Sequence, residues 1–400
     1  VVASLQESGL PKTDYYAPNF KLEIEGRQLK PESIGDVLEV KVTMDLENLT
    51  SVDLSVNNWD STNFTFKYSD SNIFDVGNRL HVQMGYADQL LSMAHGVIAT
   101  LTPRFAESGA PTIGITALDS MFKLRDSKPK EGEQKKYVNK TDSDIAREVA
   151  KRNKMQIDAD DTTETHPLVI QKNQDDAQFL MERAKRIDYD CYVQVDPQSG
   201  EDKLFFKKPT DGRDGRRSRI YVFEWGNSPM NPAPPPPDVK PADRFPSLIN
   251  FSPTLTLSKQ VGKVTVRGWD PKTKEKIVYT ATKNDLPGLG GDSGGTSGPE
   301  AAEKRLQNKQ DTVVDAPVSS AQEARDLAIS LLRERAYEFI TGSGQVIGLP
   351  DLRPGDNVEL TGLGKRFSGV YYVKKVEHAI GSSGYRTQFE VRKPFDGGTQ

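Results

Sequence analysis

The chain has 400 residues, with 53 Lys and Arg against 57 Asp and Glu and a formal net charge of −4. That length allows two or three domains with cores of their own, and the absence of a basic excess excludes an electrostatically driven nucleic-acid binder. The single cysteine, Cys191, excludes a disulfide framework within the chain and a cysteine-rich zinc or iron–sulfur site. The four histidines, His81, His95, His166 and His378, are scattered along the sequence. No apolar run approaches the ~18–20 residues of a membrane span. The start, Val1 to Glu7, carries neither a basic nor an apolar leader region, so no secretion signal or membrane insertion is expected.

In chain order, residues 1–14 read as a tail and residues 15–120 as β structure. Phe20 to Gly26, Val37 to Leu46, Asp53 to Asn57, Arg79 to Tyr86, Gly96 to Phe105 and Thr112 to Leu118 alternate apolar and polar residues between Gly, Asn and Asp breaks. This pattern predicts an antiparallel barrel or sandwich. Residues 121–208 change to an α+β insert. Thr141-Asp142-Ser143-Asp144 has the form of a capping box before a helix, a second helix fits Asp175 to Ile187, and strands fit Cys191 to Val195 and Lys203 to Lys207. Residues 209–247 form a connection, with a charged run from Arg213, an apolar run at Ile220 to Trp225 that reads as a strand, and the polyproline stretch Pro232 to Pro237.

Residues 248–394 return to β structure, beginning with Lys263 to Gly268 and Lys276 to Ala281 and ending in strands over 346–393. Between them, residues 286–317 are Gly/Ser-rich and then polar and read as a long mobile loop. Residues 319–340 predict the strongest helix, capped by Ser320, with Ala324, Leu327, Ala328, Leu331, Leu332 and Ala336 in one apolar stripe. Residues 395–400 are a short tail.

The second β region echoes the first. Val76 to Tyr86, His95 to Phe105 and Ser108 to Asp119 run as Gly-turn, strand, Gly, strand, Ser-Gly, strand. Pro354 to Gly364, Ser368 to His378 and Ser383 to Pro394 run the same way. The reading is one β-barrel used twice, with the insert between the copies.

Leu349-Pro350-Asp351-Leu352-Arg353-Pro354-Gly355-Asp356, Phe367 to Val373, Glu377-His378 and Gly384 to Phe389 follow one another in an order that resembles the phage late control gene D family, the baseplate hubs of contractile tails. The insert, with Val169 to Asp176 and then Phe179-Leu180, agrees. The resemblance spans roughly 15–394 apart from the Gly-rich loop. It extends to the hub part of type VI secretion spike proteins and to contractile injection systems. It implies two tube-like barrels per chain and a homotrimer whose six barrels adapt a six-fold tail tube to a three-fold spike. The long helix is expected to pack across the second barrel. The implied partners are a hexameric tail tube protein, baseplate wedge proteins and, because this sequence ends at Gln400 where type VI spike proteins continue, a separate spike or tip protein. Nucleic acid is not an expected partner. Assembly in the cytoplasm, followed by incorporation into a tail or injection particle, is the implied location.

Rival chemistry is weighed against this. Gly291-Asp292-Ser293-Gly294-Gly295 matches a serine-protease nucleophile sequence, with His95 upstream in the right order. It sits in a glycine-saturated stretch that cannot hold an oxyanion hole rigidly. Asp158, Asp160 and Asp161 near His166 lack the ligand register of a calcium loop and read as a solvated acidic turn. Gly362-Leu363-Gly364-Lys365 lacks the spacing of a phosphate loop. Arg213 to Arg219 reads as a solvated basic loop. Trp59, Phe64, Phe66, Tyr68 and Phe74 fit a carbohydrate-binding face or, more simply, core and subunit interface. No catalytic, cofactor-binding or metal-ligating residue is assigned, no cofactor is expected, and the expectation is a non-enzymatic structural protein.

Overall fold

The structure is a computed structural model that describes residues 17–125, 134–196, 200–213, 217–218, 220–228, 231–232, 248–270, 273–286, 295–306, 310–313 and 318–398. The chain is mainly β, and thirteen strands belong to one large sheet. Its first part is built from β1 (Pro18–Ile24), β2 (Val37–Asp45), β3 (Ser51–Asn57), β4 (Arg79–Tyr86), β5 (Gln89–Arg104) and β6 (Thr112–Asp119). They lie in the order β1-β4-β5-β6-β3-β2, and every neighbouring pair is antiparallel. The alternation of the sequence becomes alternation of burial, strictest in β3 and β6. In β3, for example, Val52, Leu54 and Val56 are buried while the residues between them are partly exposed. Buried side chains from all six strands join one apolar cluster. Each large one contributes roughly 1.5–3 kcal/mol of burial free energy.

The insert follows as β7 (Lys135–Lys140), α1 (Asp142–Arg152), β8 (Gln156–Ala159), β9 (His166–Gln171), α2 (Asp176–Arg186), β10 (Asp190–Val195) and β11 (Asp202–Lys207). β7 and β9 form an antiparallel ribbon, and β8-β11-β10 a three-stranded sheet. Both helices carry the caps their sequences call for. The Thr141 hydroxyl accepts from Asp144 N while the Asp144 carboxylate accepts from Thr141 N, and Asp175 accepts from Gln178 N. Their apolar faces share a separate core with Tyr137, Leu204 and Phe206.

The second half contains β12 (Ile220–Glu224), β13 (Asn250–Leu255), β14 (Lys263–Asp270), β15 (Glu275–Thr282), α3 (Gly298–Arg305), β16 (Gln310–Val313), α4 (Ala321–Tyr337), β17 (Ile340–Ile347), β18 (Asn357–Thr361), β19 (Gly369–Gly381) and β20 (Gly384–Lys393). Six of these lie in the order β12-β18-β19-β20-β17-β13 over their own core. Taken in chain order, β12, β13, β17, β18, β19 and β20 occupy the places of β1 to β6. One pairing differs: β12 runs parallel to β18, where β1 runs antiparallel to β4. The middle strand of each meander carries a bulge at the matching place, at Ala99 between Ile98 and Thr100 and at Lys374 between Val373 and Lys375.

The two halves are stitched into one sheet by β19. Its first residues pair with β18, and Lys375–Ile380 pair antiparallel with Asp45–Val40 of β2. Ile380 and Tyr385 are buried in the core of the first half. The Tyr86 hydroxyl donates to the Gly348 carbonyl (2.7 Å) and Arg353 donates to the Ser92 carbonyl (3.3 Å) across the same joint.

Three sequence expectations change here. β5 begins at Gln89, seven residues before the expected Gly96, because the β4–β5 turn uses Ala87 in the left-handed region (φ 49°) with no glycine to announce it. The segment 286–317, expected as a loop, contains α3 and β16. Ser297 caps α3 by accepting from Glu300 N, and Pro299 stands in its first turn. Finally, β14 and β15 leave the main sheet to form a three-stranded sheet with β16. The buried stripe of α4, including Ala324, Leu327, Ala328, Leu332 and Ala336, packs chiefly on that small sheet, whose strands β14 and β15 the sequence places in the second barrel.

Candidate functional site

His95, on β5, has Nδ1 3.1 Å from Asp202 of β11, and its ring centroid lies 4.2 Å from that of His81 on β4. His81 completes the row with Nδ1 3.3 Å from Glu23 and Nε2 2.8 Å from Ser92 Oγ. Burial and the neighbouring His95 hold the His81 pKa below the ordinary imidazole value against the pull of Glu23. Residues 291–294, which include Asp292 and Ser293, lie outside the described residues, and so do residues 233–237 of the polyproline stretch and residues 214–216 and 219 of the basic run. Among the described residues no group of three or more His, Cys, Asp or Glu is placed to hold a metal ion.

The acidic turn and His166 part company in space. Asp158 pairs with Lys207 (2.7 Å), Asp160 accepts from Lys208 N (3.2 Å), and Asp161 faces Arg147. His166 instead sits buried between Asp142 (Nε2 to Oδ2, 3.1 Å) and Glu323 of α4 (Nδ1 to Oε1, 2.8 Å), with Arg183 bound to the other oxygen of Asp142. Burial opposes a charged ring, and so does the Arg183 guanidinium, but the two carboxylates outweigh them and raise the His166 pKa to about 9. Burial likewise opposes the Glu323 carboxylate, yet His166 and the Ser319 N–H (2.7 Å) hold its pKa down at about 2. Glu323 stands three residues after the Ser320 cap, where the helix dipole also favours an anion. The network ties α1, β9 and α2 of the insert to α4.

Arg213 is buried, which corrects its reading as part of a solvated loop. Its Nε and Nη2 donate to Asp211 (2.9 and 2.8 Å), and Nη1 donates to Asp188. Arg333 adds a second cation to Asp188 (2.7 Å), the Tyr337 hydroxyl donates to Asp211 (2.6 Å), and the Tyr372 hydroxyl donates to Asp190 (2.7 Å). Arg392 lies over the rings of Tyr337 and Tyr372, at 5.3 and 5.4 Å. Burial pushes Asp188 up to about 6 in spite of the two arginines. Cys191, inside the same junction, has its thiol pushed up to about 12 by burial and Asp190, far from thiolate chemistry. This knot fastens the insert, the connection, α4 and the second half to one another. Beside it, a cleft of about 600 Å³ opens between Leu91, Tyr192, Phe205, Lys207, Arg353 and Asp356.

Gly362, in the sequence weighed as a phosphate loop, has φ 78°, and a Cβ there would overlap the Trp225 carbonyl, so its role is a tight turn after β18. The aromatic group divides. Tyr68 and Phe74 are core residues 5.3 Å apart. Trp59 and Phe66 pair across a short hairpin, Phe64 sits at its tip with φ 54° and 76% exposure, and Phe105, which the sequence reading passed over, stacks edge-on against Phe66 at 5.4 Å while 63% exposed. Trp59 lies 6.3 Å from Phe64 and 5.4 Å from Phe66. The four rings thus make one aromatic cluster, with Phe64 and Phe105 exposed and Trp59 and Phe66 partly buried.

The fold is that of phage tail proteins. It is similar to the 43 kDa tail protein of prophage MuSo2 from Shewanella oneidensis, at TM-score 0.66 and 14% identity over 94% of this chain and 99% of that one. It is similar to the tail protein of Neisseria meningitidis MC58, at TM-score 0.63 and 12% identity over 94% and 97%. The E. coli c3393 protein, a component of the type VI secretion system, matches at TM-score 0.54 and 14% identity over 93% of this chain and 76% of that one. No curated protein sequence matches the chain. Residues 15–210 and 245–382 match the family described as the Alg8 N-terminal domain, and the chain, matched over well more than half its length, belongs to that family.

Proposed function

We propose that this chain is a structural hub at the base of a contractile tail or contractile injection particle, with no reaction to catalyse. The observation that carries this reading is the repeated six-strand order, β1-β4-β5-β6-β3-β2 and β12-β18-β19-β20-β17-β13, with its matching bulges. On this reading the two halves, roughly residues 15–120 and residues 220–224 with 248–394, are duplicated tube-like barrels separated by the 121–208 insert. Three copies then present six similar units in a ring, which reconciles a six-fold tube with a three-fold spike. The similarity to phage tail proteins and to a type VI secretion component supports the same reading. A hexameric tube protein on one face, a separate spike protein on the other and wedge proteins around the rim are the proposed partners. No helix among the described residues is long and apolar enough to cross a membrane.

The test is reconstitution. The purified chain, mixed with a tail tube protein from the same particle, should nucleate tubes capped at one end by a three-fold ring in electron micrographs. Tubes that form equally fast without the chain, and carry no cap with it, would refute the proposal.

A further inference from the structure

The joint inside the chain defines what an equivalent joint between chains must contain. In the intrachain joint, β19 offers one edge beyond its bulge to β2, and Ile380, five residues after Lys375, is 8% exposed because the first half covers it. The β17–β18 connection contributes Gly348 and Arg353, which bind Tyr86 and Ser92 of the first half. β5 is the counterpart of β19. Beyond its own bulge, Thr100–Arg104 pair with β6 alone among the described strands, and five residues after Thr100 comes Phe105, 63% exposed. The counterpart of the β17–β18 connection is the β3–β4 connection, and that is the segment carrying Trp59, Phe64 and Phe66. The counterpart of β2 is β13, which pairs with β17 alone among the described strands. Among the described residues, the outer edges of β13 and of β5 beyond its bulge, counterparts of the two strands that pair in the intrachain joint, have no strand beside them, and Phe64 and Phe105 next to the β5 edge are exposed.

We infer that the aromatic cluster of Trp59, Phe64, Phe66 and Phe105, of which Phe64 and Phe105 are exposed, seats against the second half of another copy of this chain, with the outer edge of β5 alongside that copy's β13. The pairing of Ile380 with Val40 fixes the register, because Val40 corresponds to Phe251 when the two halves are aligned through their bulges. Phe105 of one copy then faces Phe251 of the next. Both free edges carry a proline, Pro103 and Pro253, which lacks an N–H. The ladder between copies is therefore incomplete, and side-chain burial has to carry this joint. That is why aromatic rings stand where the intrachain joint uses Ile380, Gly348 and Arg353. The contact joins the first half of one copy to the second half of the next, so it is head-to-tail, the kind of contact that builds a ring when its rotation closes.

This inference rests on the duplicated-unit reading above, and the experiment separates the two. Phe105→Cys and Ser252→Cys are introduced together, both at exposed positions, leaving the buried Cys191 in place. Inter-chain cross-linking by a short bis-maleimide is compared with either single variant, and Phe64→Ser/Phe105→Ser is followed by sedimentation. Cross-linking that needs both cysteines, with a trimer dissociation concentration raised at least about tenfold in the serine variant, is the expected result. A wild-type trimer that neither cross-links through these positions nor weakens in the serine variant overturns the inference and leaves the hub reading standing. A wild-type chain that stays monomeric at every concentration overturns the hub reading itself.

Discussion

Replacing Glu323 by Gln tests whether the insert is held to α4 by charge. The carboxylate is held near 2, against an ordinary value of 4.5, by His166, the Ser319 N–H and the Ser319 hydroxyl. A difference of that size corresponds to about 3 kcal/mol at 1.36 kcal/mol per unit, and partial solvent access to the pair reduces it to about 2 kcal/mol. The sign follows from the two pKa shifts. The depressed Glu323 contributes stability above pH 4.5 and loses it as pH falls towards 2. The raised His166 contributes fully below 6.5 and loses its share as pH rises through 9. The pair is therefore strongest between about pH 4.5 and 6.5. Urea unfolding followed by fluorescence, together with hydrogen exchange at the start of α4, should show Glu323→Gln about 2 kcal/mol less stable at pH 6. The difference should shrink as pH is raised past 9. An equal loss at pH 6 and pH 10, or no loss at either, would refute the charge argument.

Arg213→Ala should cost about 3–5 kcal/mol, because it leaves Asp211 and Asp188 buried with too little countercharge; chemical denaturation measures this, and a loss under about 1 kcal/mol would mean that the knot is solvated. At Gly348 a Cβ would overlap the Tyr385 ring, so Gly348→Ala should lower stability by about 3 kcal/mol or more. Gly384→Ala, strained at φ 79° but in open space, should cost only about 1 kcal/mol, and equal melting shifts for the two would contradict the packing described. Cys191 should resist iodoacetamide at pH 8 in the folded protein and react once in urea; rapid labelling of the native chain is the contrary result.

The half-buried strands were legible because one face of each meets a core, and burial forces a period of two on the sequence. The helix caps at Thr141 and Ser320 were legible too, since capping is a local interaction. Reading failed where local signals were absent or misleading. The Ala87 turn carries no glycine, so the first seven residues of β5 were missed. The glycines before Ser297 concealed α3, although Ser297, Pro299 and the terminal Lys304-Arg305 were present as its start and stop signals. The partners of His166 and Arg213 come from distant elements. Glu323 lies 157 positions from His166 in the numbering of the chain, and no spacing rule reaches that far. Phe64 stood out as aromatic but not as exposed, because exposure is decided by which loops cover a hairpin. Phe105 was passed over for the same reason, lying 39 positions from the ring it stacks on.

The central claim is that one chain carries two equivalent units so that three chains can build a ring of six. Native mass spectrometry of the purified chain with its spike protein tests it most directly. The expected principal species is three copies of the 44.4 kDa chain, alone or bound to the spike. A spectrum of monomers only, under conditions where the spike protein itself trimerises, would contradict it.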